Sequence, residues 1–167
     1  MHSRSAFMRR LPTHEYLRAT SQNYSLEPMI PETSRVAECR PQATMLTLCS
    51  GVEQHNEGPI DILGCFARFQ SLVFPVTITN IRVFFMLKNG FGTFRIDTKI
   101  LDGETANILA HIDNGKVTLN DSWEQSPNQV FFPVVHFERP GKCDIIVSAD
   151  DVEVGRASFW LLHVETS

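Results

Sequence analysis

The chain has 167 residues, of which 43% are hydrophobic and 20% charged, a composition that excludes a largely disordered protein. Its net charge of −4 and isoelectric point near 5.8 argue against nucleic acid as the main partner, because phosphate binding needs a basic surface. Residues 1–44 carry six Arg and four Glu, which leaves residues 45–167 with a net charge of −6. This acidic body either favours a basic partner or is simply solvated.

The first 44 residues predict a flexible or extended N-terminal arm. They show no sustained hydrophobic period, and four prolines interrupt them at Pro12, Pro28, Pro31 and Pro41. Proline removes a backbone donor and restricts the preceding residue, so long regular elements are disfavoured here. The segment also lacks the uninterrupted apolar stretch of a secretory signal, and no run in the chain approaches the ~18 apolar residues of a membrane span. We therefore expect a cytoplasmic protein without membrane contacts.

The four cysteines predict free thiols. No CxxC or CxH pair occurs, so the sequence does not support a zinc ribbon or a redox motif. Cys49, Cys65 and Cys143 each lie in an apolar, strand-like run, where buried thiols are more common than disulfides. This pattern fits a reducing compartment, and we expect no cofactor.

The domain proper is predicted to begin at Met45. Residues 45–50 and 60–67 are short apolar segments on either side of a polar turn at 52–59, and they predict a first hairpin. Residues 78–87 and 93–101 predict a second hairpin, because Asn89–Gly90 between them suits a tight turn with positive φ. In the second of these strands, alternation predicts that the apolar residues share one face, namely Phe94, Ile96, Thr98 and Ile100.

The remaining segments continue the same pattern. Strands are expected at 106–112, after a turn at 102–103, and at 116–119, after a turn at 113–115. Pro133 within the strand at 129–137 predicts an edge strand or a bulge. A last hairpin turns at 150–151, with Gly155 as a bulge. Eight or nine short strands at this spacing predict an all-β, antiparallel, two-sheet sandwich of Ig-like or C2-like type over residues 45–167.

Common catalytic and metal-binding patterns do not occur. No GxSxG, HExxH or phosphate-binding glycine loop is present. His136 and Cys143 flank one turn, so a Cys–His pair for a small hydrolase is conceivable, although such neighbours usually only pack. Acidic turns containing Asp102, Asp113 and Asp150 provide the oxygen ligands that Ca²⁺ prefers. We expect no enzyme activity and no catalytic, cofactor or metal residues.

The candidate interaction surface rests on aromatic residues and proline. Phe159 and Trp160 must point to opposite faces of one strand, so one of them faces solvent, a sugar or a partner. Residues 83–86 are apolar on both faces, which predicts a strand covered on both sides. The candidate residues are Trp160, Phe85, Pro133 and Trp123.

Three segments resemble a family of short bacterial conserved-hypothetical proteins with a domain of unknown function. They are MLTLCSGVEQHNEGPIDILGCF, FPVTITNIRVFFMLKNGFGTFRIDTKILD and FERPGKCDIIVSADDVEVGRASFWL. The resemblance covers residues 45–165, and Cys143–Asp144 departs from it, because an aromatic residue is expected after the Pro-Gly turn. It implies a small sandwich and supplies no catalytic residues.

The functional prediction is a non-enzymatic interaction or accessory module that binds another protein or itself. Open sheet edges, as implied by Pro133, invite an added strand. The alternative from the ligand-binding class is a sandwich that binds a carbohydrate at Trp160 or Ca²⁺ at the acidic turns. A small hydrolase is a third alternative.

Overall fold

The protein is all-β. A computed structural model describes residues 39–56 and 58–165, which contain ten strands and no helix. The strands are β1 (Gln42–Cys49), β2 (Gly51–Gln54), β3 (Ile60–Leu63), β4 (Arg68–Ser71), β5 (Val76–Lys88), β6 (Gly92–Asp102), β7 (Ile108–Leu119), β8 (Ser126–Phe137), β9 (Gly141–Ala149) and β10 (Val152–His163). The predicted number of eight or nine was too low, and β5 reaches 13 residues, so not all strands are short. No helix in the described part of the chain could cross a membrane.

The strands form three sheets. One has the order β1-β5-β8, a second has the order β4-β10-β9-β6-β7, and β2 pairs with β3 alone. Every pair is antiparallel except β4–β10, where Arg68 to Ser71 run parallel to Trp160 to His163. The prediction of wholly antiparallel strands was therefore wrong at β4, because pairing direction depends on the path of the chain and not on local alternation.

The two larger sheets contribute to one hydrophobic core. Val83, Phe85 and Leu87 of β5 belong to the same buried cluster as Ile145 and Val147 of β9. The predicted inward face of β6 is confirmed, since Phe94, Ile96, Thr98 and Ile100 are all buried. Buried apolar area of this kind stabilises a domain by roughly 25 cal/mol per Å².

The first predicted hairpin is confirmed only in part, because the two predicted segments meet at one antiparallel bridge, between Leu48 and Phe66. β1 pairs with β5, and the hairpin in this region is formed by β2 and β3, with Gly51 opposite Leu63. Four-residue strands are too short to show alternation, and the polar residues of β2 are as typical of a turn as of a strand. Val52 and Ile60 of this hairpin line a small surface pocket with Phe84 of β5. The hairpin thus lies against the side of β5 that faces away from the core, and residues 83–85 are buried as expected.

Asn89–Gly90 forms a turn, but not the predicted hairpin. Asn89 has a positive φ of 59°, as its sequence context indicates. The flanking strands β5 and β6 nevertheless belong to different sheets, so the turn carries the chain from one sheet to the other. A Cβ on Gly90 would lie 2.6 Å from Leu119 and 2.9 Å from Pro41, so this contact between elements requires glycine.

The later turns are mostly confirmed. β6–β7 and β9–β10 are antiparallel hairpins, and Asp150 and Asp151 both have positive φ. The register shifts at Gly155, so the predicted bulge is present. The turn predicted at 113–115 is instead an irregularity within the continuous strand β7, where Gly115 pairs with Ile96 and Asp113 with Asp97. Pro133 lies in β8, the edge strand of its sheet.

The folded part begins before Met45. β1 starts at Gln42, and Cys39 forms an isolated bridge with Phe91. The predicted boundary therefore cut into the first strand, because Pro41 and the polar residues after it carry no apolar signal. Residues 1–38 of the predicted arm lie outside the described residues.

We expect Gly155→Ala to lower the free energy of unfolding by about 1–3 kcal/mol, the usual cost of overpacking. A Cβ at this bulge would lie 2.6 Å from Ala43 Cβ and 2.9 Å from the carbonyl oxygen of Ala43, so β10 would be pushed away from β1. Urea unfolding measures the loss. Gly51→Ala is the control, because its nearest neighbour is an ordinary 3.6 Å away; equal losses in the two variants would contradict the steric explanation.

Candidate functional site

The four residues of the predicted surface do not form one surface. Phe85 is 0% exposed and lies in the core, so its inclusion was wrong. Pro133 is exposed on the edge strand β8, in the other large sheet from Trp160. Trp123 is 88% exposed in the loop after β7. The loop follows Leu119, which pairs with Gly92 at the start of β6. Trp160 pairs with Lys142, which lies next to the end of β6. The two tryptophans are therefore at opposite ends of the sheet.

Trp160 lies on the outer face of the five-stranded sheet. Its neighbours Phe159 and Leu161 are buried in the core, and Trp160 is 51% exposed, as strand alternation requires. Its direct partners are Lys142 on β9 and Arg68 on β4. We use the term outer face for the residues of this sheet that point away from the core.

The outer face concentrates the cations of an acidic domain. Residues 45–167 contain nine Arg and Lys, and strand register places six of them on this face: Arg68, Arg95, Lys99, Lys116, Lys142 and Arg156. The same register places four acids there: Asp97, Asp113, Asp144 and Glu153. Alternation along one strand of the sequence predicts that Arg95 and Lys99 point away from the core. Only the pairing register of the strands shows that cations from five strands share one face.

Asp144 is the most heavily bonded acid of the outer face. Its carboxylate accepts hydrogen bonds from Ser158 Oγ at 2.7 Å and from Arg156 Nη1 at 2.8 Å, and it pairs with Lys142 Nζ at 3.1 Å. Burial alone would raise its pKa, but the hydrogen bonds from Ser158, Lys142 and Arg156 outweigh burial, so the pKa is lowered. The group is therefore a carboxylate at neutral pH and holds Lys142, the neighbour of Trp160, together with Arg156 farther along β10.

Asp97 forms a second network farther along the face. Only 2% of the residue is exposed, and its Oδ1 accepts hydrogen bonds from His111 Nε2 at 2.7 Å and Arg95 Nη2 at 3.4 Å. Burial again acts to raise the pKa of Asp97, and the bonds from His111 and Arg95 bring it below the ordinary value. Arg95 also approaches Asp113 at 3.7 Å. Both buried acids thus serve to order the exposed cations above them.

Three cations of the outer face form no ion pair with any residue that the structure describes: Arg68, Lys99 and Lys116. Arg68 stands directly beside Trp160. Tryptophan and arginine are the residues most enriched at the energetic centres of protein interfaces. An acidic segment laid across Trp160 would meet charges that are not already neutralised.

A cavity of about 330 Å³ lies between the β6–β7 and β8–β9 turns. Phe137, Cys143 and Leu161 contribute apolar lining, and Lys142 contributes to both the cavity and the surroundings of Trp160. Arg139 spans the two turns by pairing with Asp102 and Glu104. Pockets with an apolar floor and a few polar groups are the usual form of small-ligand sites.

The structure does not assemble the conceivable Cys–His pair. His136 and Cys143 belong to strands of different sheets, β8 and β9. His136 instead forms a hydrogen bond between its Nδ1 and Thr77 Oγ1 at 3.0 Å and lies 3.2 Å from Glu138. Burial, and then the charges of Asp102 and Asp144, raise the pKa of Cys143 to about 12, which keeps the thiol protonated and unreactive.

The acidic residues of the three predicted turns use their carboxylates to accept hydrogen bonds from backbone amides. Asp102 Oδ1 accepts from the backbone of Glu104 and Thr105, and Asp113 Oδ1 accepts from the backbone of Gly115. Asp150 Oδ1 accepts from the backbone of Arg95. The bonds of Asp102 and Asp113 are local bonds typical of Asp side chains, whereas the bond of Asp150 connects it to β6. Among the described residues, no group of three or more His, Cys, Asp or Glu could hold a metal ion.

Each edge strand of the two larger sheets carries a feature that disfavours an added strand. β4 has only four residues, β7 contains two register shifts, and β8 contains Pro133, which has no N–H to donate. β1 has a register shift around Met45, whose φ is 53°. Short, bulged or proline-containing edges are how β-proteins prevent edge pairing. A partner is therefore more readily placed on a face than on an edge.

Comparison with known proteins gives a family without an assigned activity. A family model described as a family of unknown function, DUF6941, matches residues 44–161. The chain belongs to this family. The resemblance to proteins with a domain of unknown function is thereby confirmed, and no curated protein matches the chain.

Two solved structures show weak similarity. The Pseudomonas fluorescens alkylpurine DNA glycosylase AlkC, bound to DNA containing an abasic site analog, aligns at 13% identity with a TM-score of 0.48. A beta-glucosidase from Listeria innocua in complex with isofagomine aligns at 12% identity with a TM-score of 0.39. Each alignment covers 74% of this chain, but only 30% and 17% of the respective structures. Neither likeness carries an argument about this chain.

Proposed function

We propose that this chain is a non-enzymatic interaction module that binds an acidic protein surface through its outer face, with Trp160 at the centre. In this proposal the two larger sheets form an Ig-like or C2-like sandwich, and the module acts in the cytoplasm. The observation that carries the proposal is that six of the nine cations of a domain with a net charge of −6 lie on the same face as the half-exposed Trp160, and that two of them, Arg68 and Lys142, are its direct neighbours.

The sign of the partner follows from this grouping. The acidic body by itself favours a basic partner, but its exposed aromatic lies on the cationic side. Complementary charge at the rim of an interface steers association and selects the partner. An aromatic ring that becomes buried on binding supplies much of the affinity. A protein partner is favoured over nucleic acid. The cations of the outer face attract a polyanion only at short distance, and the rest of the acidic domain repels it.

The test compares the outer face with a tryptophan elsewhere. Tagged full-length protein is used to capture partners from source cells, as wild type and as Trp160→Ala, Arg68→Glu and Trp123→Ala. We expect one stoichiometric acidic partner that is reduced roughly tenfold or more by Trp160→Ala and by Arg68→Glu, as for an interface hot spot, and is unchanged by Trp123→Ala. Retention of every partner by Trp160→Ala would overturn the assignment.

A carbohydrate stacked on Trp160 is the second candidate, favoured by the exposed indole itself. Sugars stack on exposed aromatic rings, and a ligand of the native state raises the melting temperature. A panel of oligosaccharides at millimolar concentration, compared between wild type and Trp160→Ala, separates the two candidates. A shift seen only in the wild type would replace the protein partner by a sugar.

A further inference from the structure

Cys49 and Cys65 lie side by side, although they belong to different segments of the chain. The amide of Phe66 donates to the carbonyl of Leu48 at 3.1 Å, and these two residues form an isolated antiparallel bridge. The amide of Ser50 donates to the carbonyl of Leu63 at 2.9 Å. Between the pairs Leu48–Phe66 and Gly51–Leu63, Cys49 and Ser50 on one segment face Gly64 and Cys65 on the other, so Cys49 is opposite Cys65.

The two thiols also share a face. Residues directly opposite each other in an antiparallel pair point to the same side. Leu48 belongs to the core cluster and Phe66 packs against it, so the next residue on each segment points away from the core. The same register places Ser50 opposite Gly64, which has a φ of 57°. Opposed residues in such pairs have Cα atoms about 4.5–5.5 Å apart, within the range that a disulfide bridges.

The surroundings of the two thiols differ in a useful way. Cys65 is exposed, which corrects the expectation that it is buried, whereas Cys49 is only 1% exposed. Burial, and then the neighbouring Cys65, raise the pKa of Cys49, and an influence of one thiol on the other requires that they be close. An oxidant in solution can therefore reach Cys65 first and Cys49 only through it.

We propose that Cys49 and Cys65 are a site of reversible disulfide formation, with Cys65 as the attacking thiol and Cys49 as the resolving thiol. The oxidant is a small-molecule disulfide. The Cys65 thiolate attacks one of its sulfur atoms, forms a mixed disulfide and releases one thiol. Cys49 then loses its proton, attacks Cys65 Sγ and releases the second thiol. The protein loses two hydrogen atoms, and one disulfide is reduced to two thiols.

The bond would have a structural consequence. The segment between the two cysteines contains the β2–β3 hairpin, which lies against β5 at Phe84. Closing this loop restricts the unfolded chain and holds the hairpin in place. In a reducing compartment the two thiols stay free, as in the structure, and the bond forms only under oxidising conditions. The inference does not depend on the proposed docking function.

The other cysteines provide the internal control. Cys39 is exposed and its Sγ lies 3.4 Å from the carbonyl oxygen of Asn89, and Cys143 is buried at the cavity. Purified full-length protein is incubated with millimolar oxidised glutathione, alkylated, and analysed by intact mass and peptide mapping. We expect one internal disulfide that joins the peptides of Cys49 and Cys65, and a higher melting temperature that dithiothreitol reverses.

The variants decide the mechanism. Cys49→Ala removes the resolving thiol, so Cys65 should accumulate as a stable glutathione adduct, roughly tenfold above its level in the wild type. Cys143→Ser should form the internal bond as the wild type does. A wild type in which Cys65 stays glutathionylated, or in which Cys65 links to a different cysteine, would overturn the proposal. If Cys49→Ala fails to fold, Cys65→Ser tests the same order of events. In that variant Cys49 should remain unmodified, because oxidation reaches it only through Cys65.

Discussion

Replacing Phe159 by alanine is expected to lower the free energy of unfolding by about 3–5 kcal/mol, the range for deleting a large aromatic side chain from a core. Phe159 is 1% exposed, and its ring lies edge-to-face with Phe69 at 5.8 Å and with Phe137 at 6.2 Å. Phe137 belongs to the three-stranded sheet, so this contact joins the two larger sheets. The alanine variant would leave a cavity at that junction, and chemical denaturation measures the loss.

Trp160→Ala is the matched control, because it removes an aromatic residue from the next position of the same strand. Trp160 is 51% exposed, so much less of its area leaves water on folding, and we expect a loss below about 1 kcal/mol. Equal losses in the two variants would show that the indole is part of the structural core. That result would also remove the basis for assigning Trp160 to a binding surface.

The pair Phe159–Trp160 illustrates what the sequence could predict. Strand alternation alone establishes that one of the two aromatics is core and the other is not, and the structure confirms this. Phe85 was wrongly included in the candidate surface, because it lies on the core face of β5 together with Val83 and Leu87. The opposite face of the strand, at Phe84, is buried as well. What covers β5 is a hairpin of two four-residue strands, which are too short to be recognised by periodicity.

The pairing of strands was harder to predict than their existence. Turn residues such as Asn89–Gly90 indicate a positive φ, but not whether the flanking strands pair with each other or belong to different sheets. Local chemistry determined the turn correctly, while packing of the whole chain determined that it joins two sheets. For the same reason the cations of the outer face could not be grouped beforehand. Arg68 and Lys142 become neighbours of Trp160 only through the parallel β4–β10 pair and the β9–β10 register.

The second large effect on stability is expected at a polar residue, Asp144. We expect Asp144→Ala to lower the free energy of unfolding by about 1–3 kcal/mol, the cost of removing hydrogen bonds to a charged group. The cost stays below that of breaking a fully buried pair, because Arg156 and Lys142 are about half exposed and regain hydration. Asp144→Asn keeps the shape and removes the charge, and should fall between alanine and wild type.

The pH dependence of stability follows from the same acid. The pKa values of Asp144 and Asp97 are lower in the folded protein than the ordinary value of 3.8. A group with a depressed folded pKa contributes stability that is fully present above its unfolded pKa and is lost as the pH falls through the folded pKa. Melting temperatures measured from pH 7 down to about pH 2 should therefore fall in the acid range in the wild type.

In Asp144→Asn this acid-induced loss should be smaller, because one of the two buried carboxylates no longer takes up a proton. Asp151→Asn is the control, since Asp151 is exposed, forms no ion pair with the described residues, and has a positive φ that asparagine tolerates. It should reproduce the wild-type curve. An unchanged acid-induced loss in Asp144→Asn would mean that the pKa of Asp144 in the folded protein is not lower than in the unfolded chain. The order of the outer-face cations around Trp160 would then need a different source, and Asp97, with its bonds from His111 and Arg95, would be the next residue to replace.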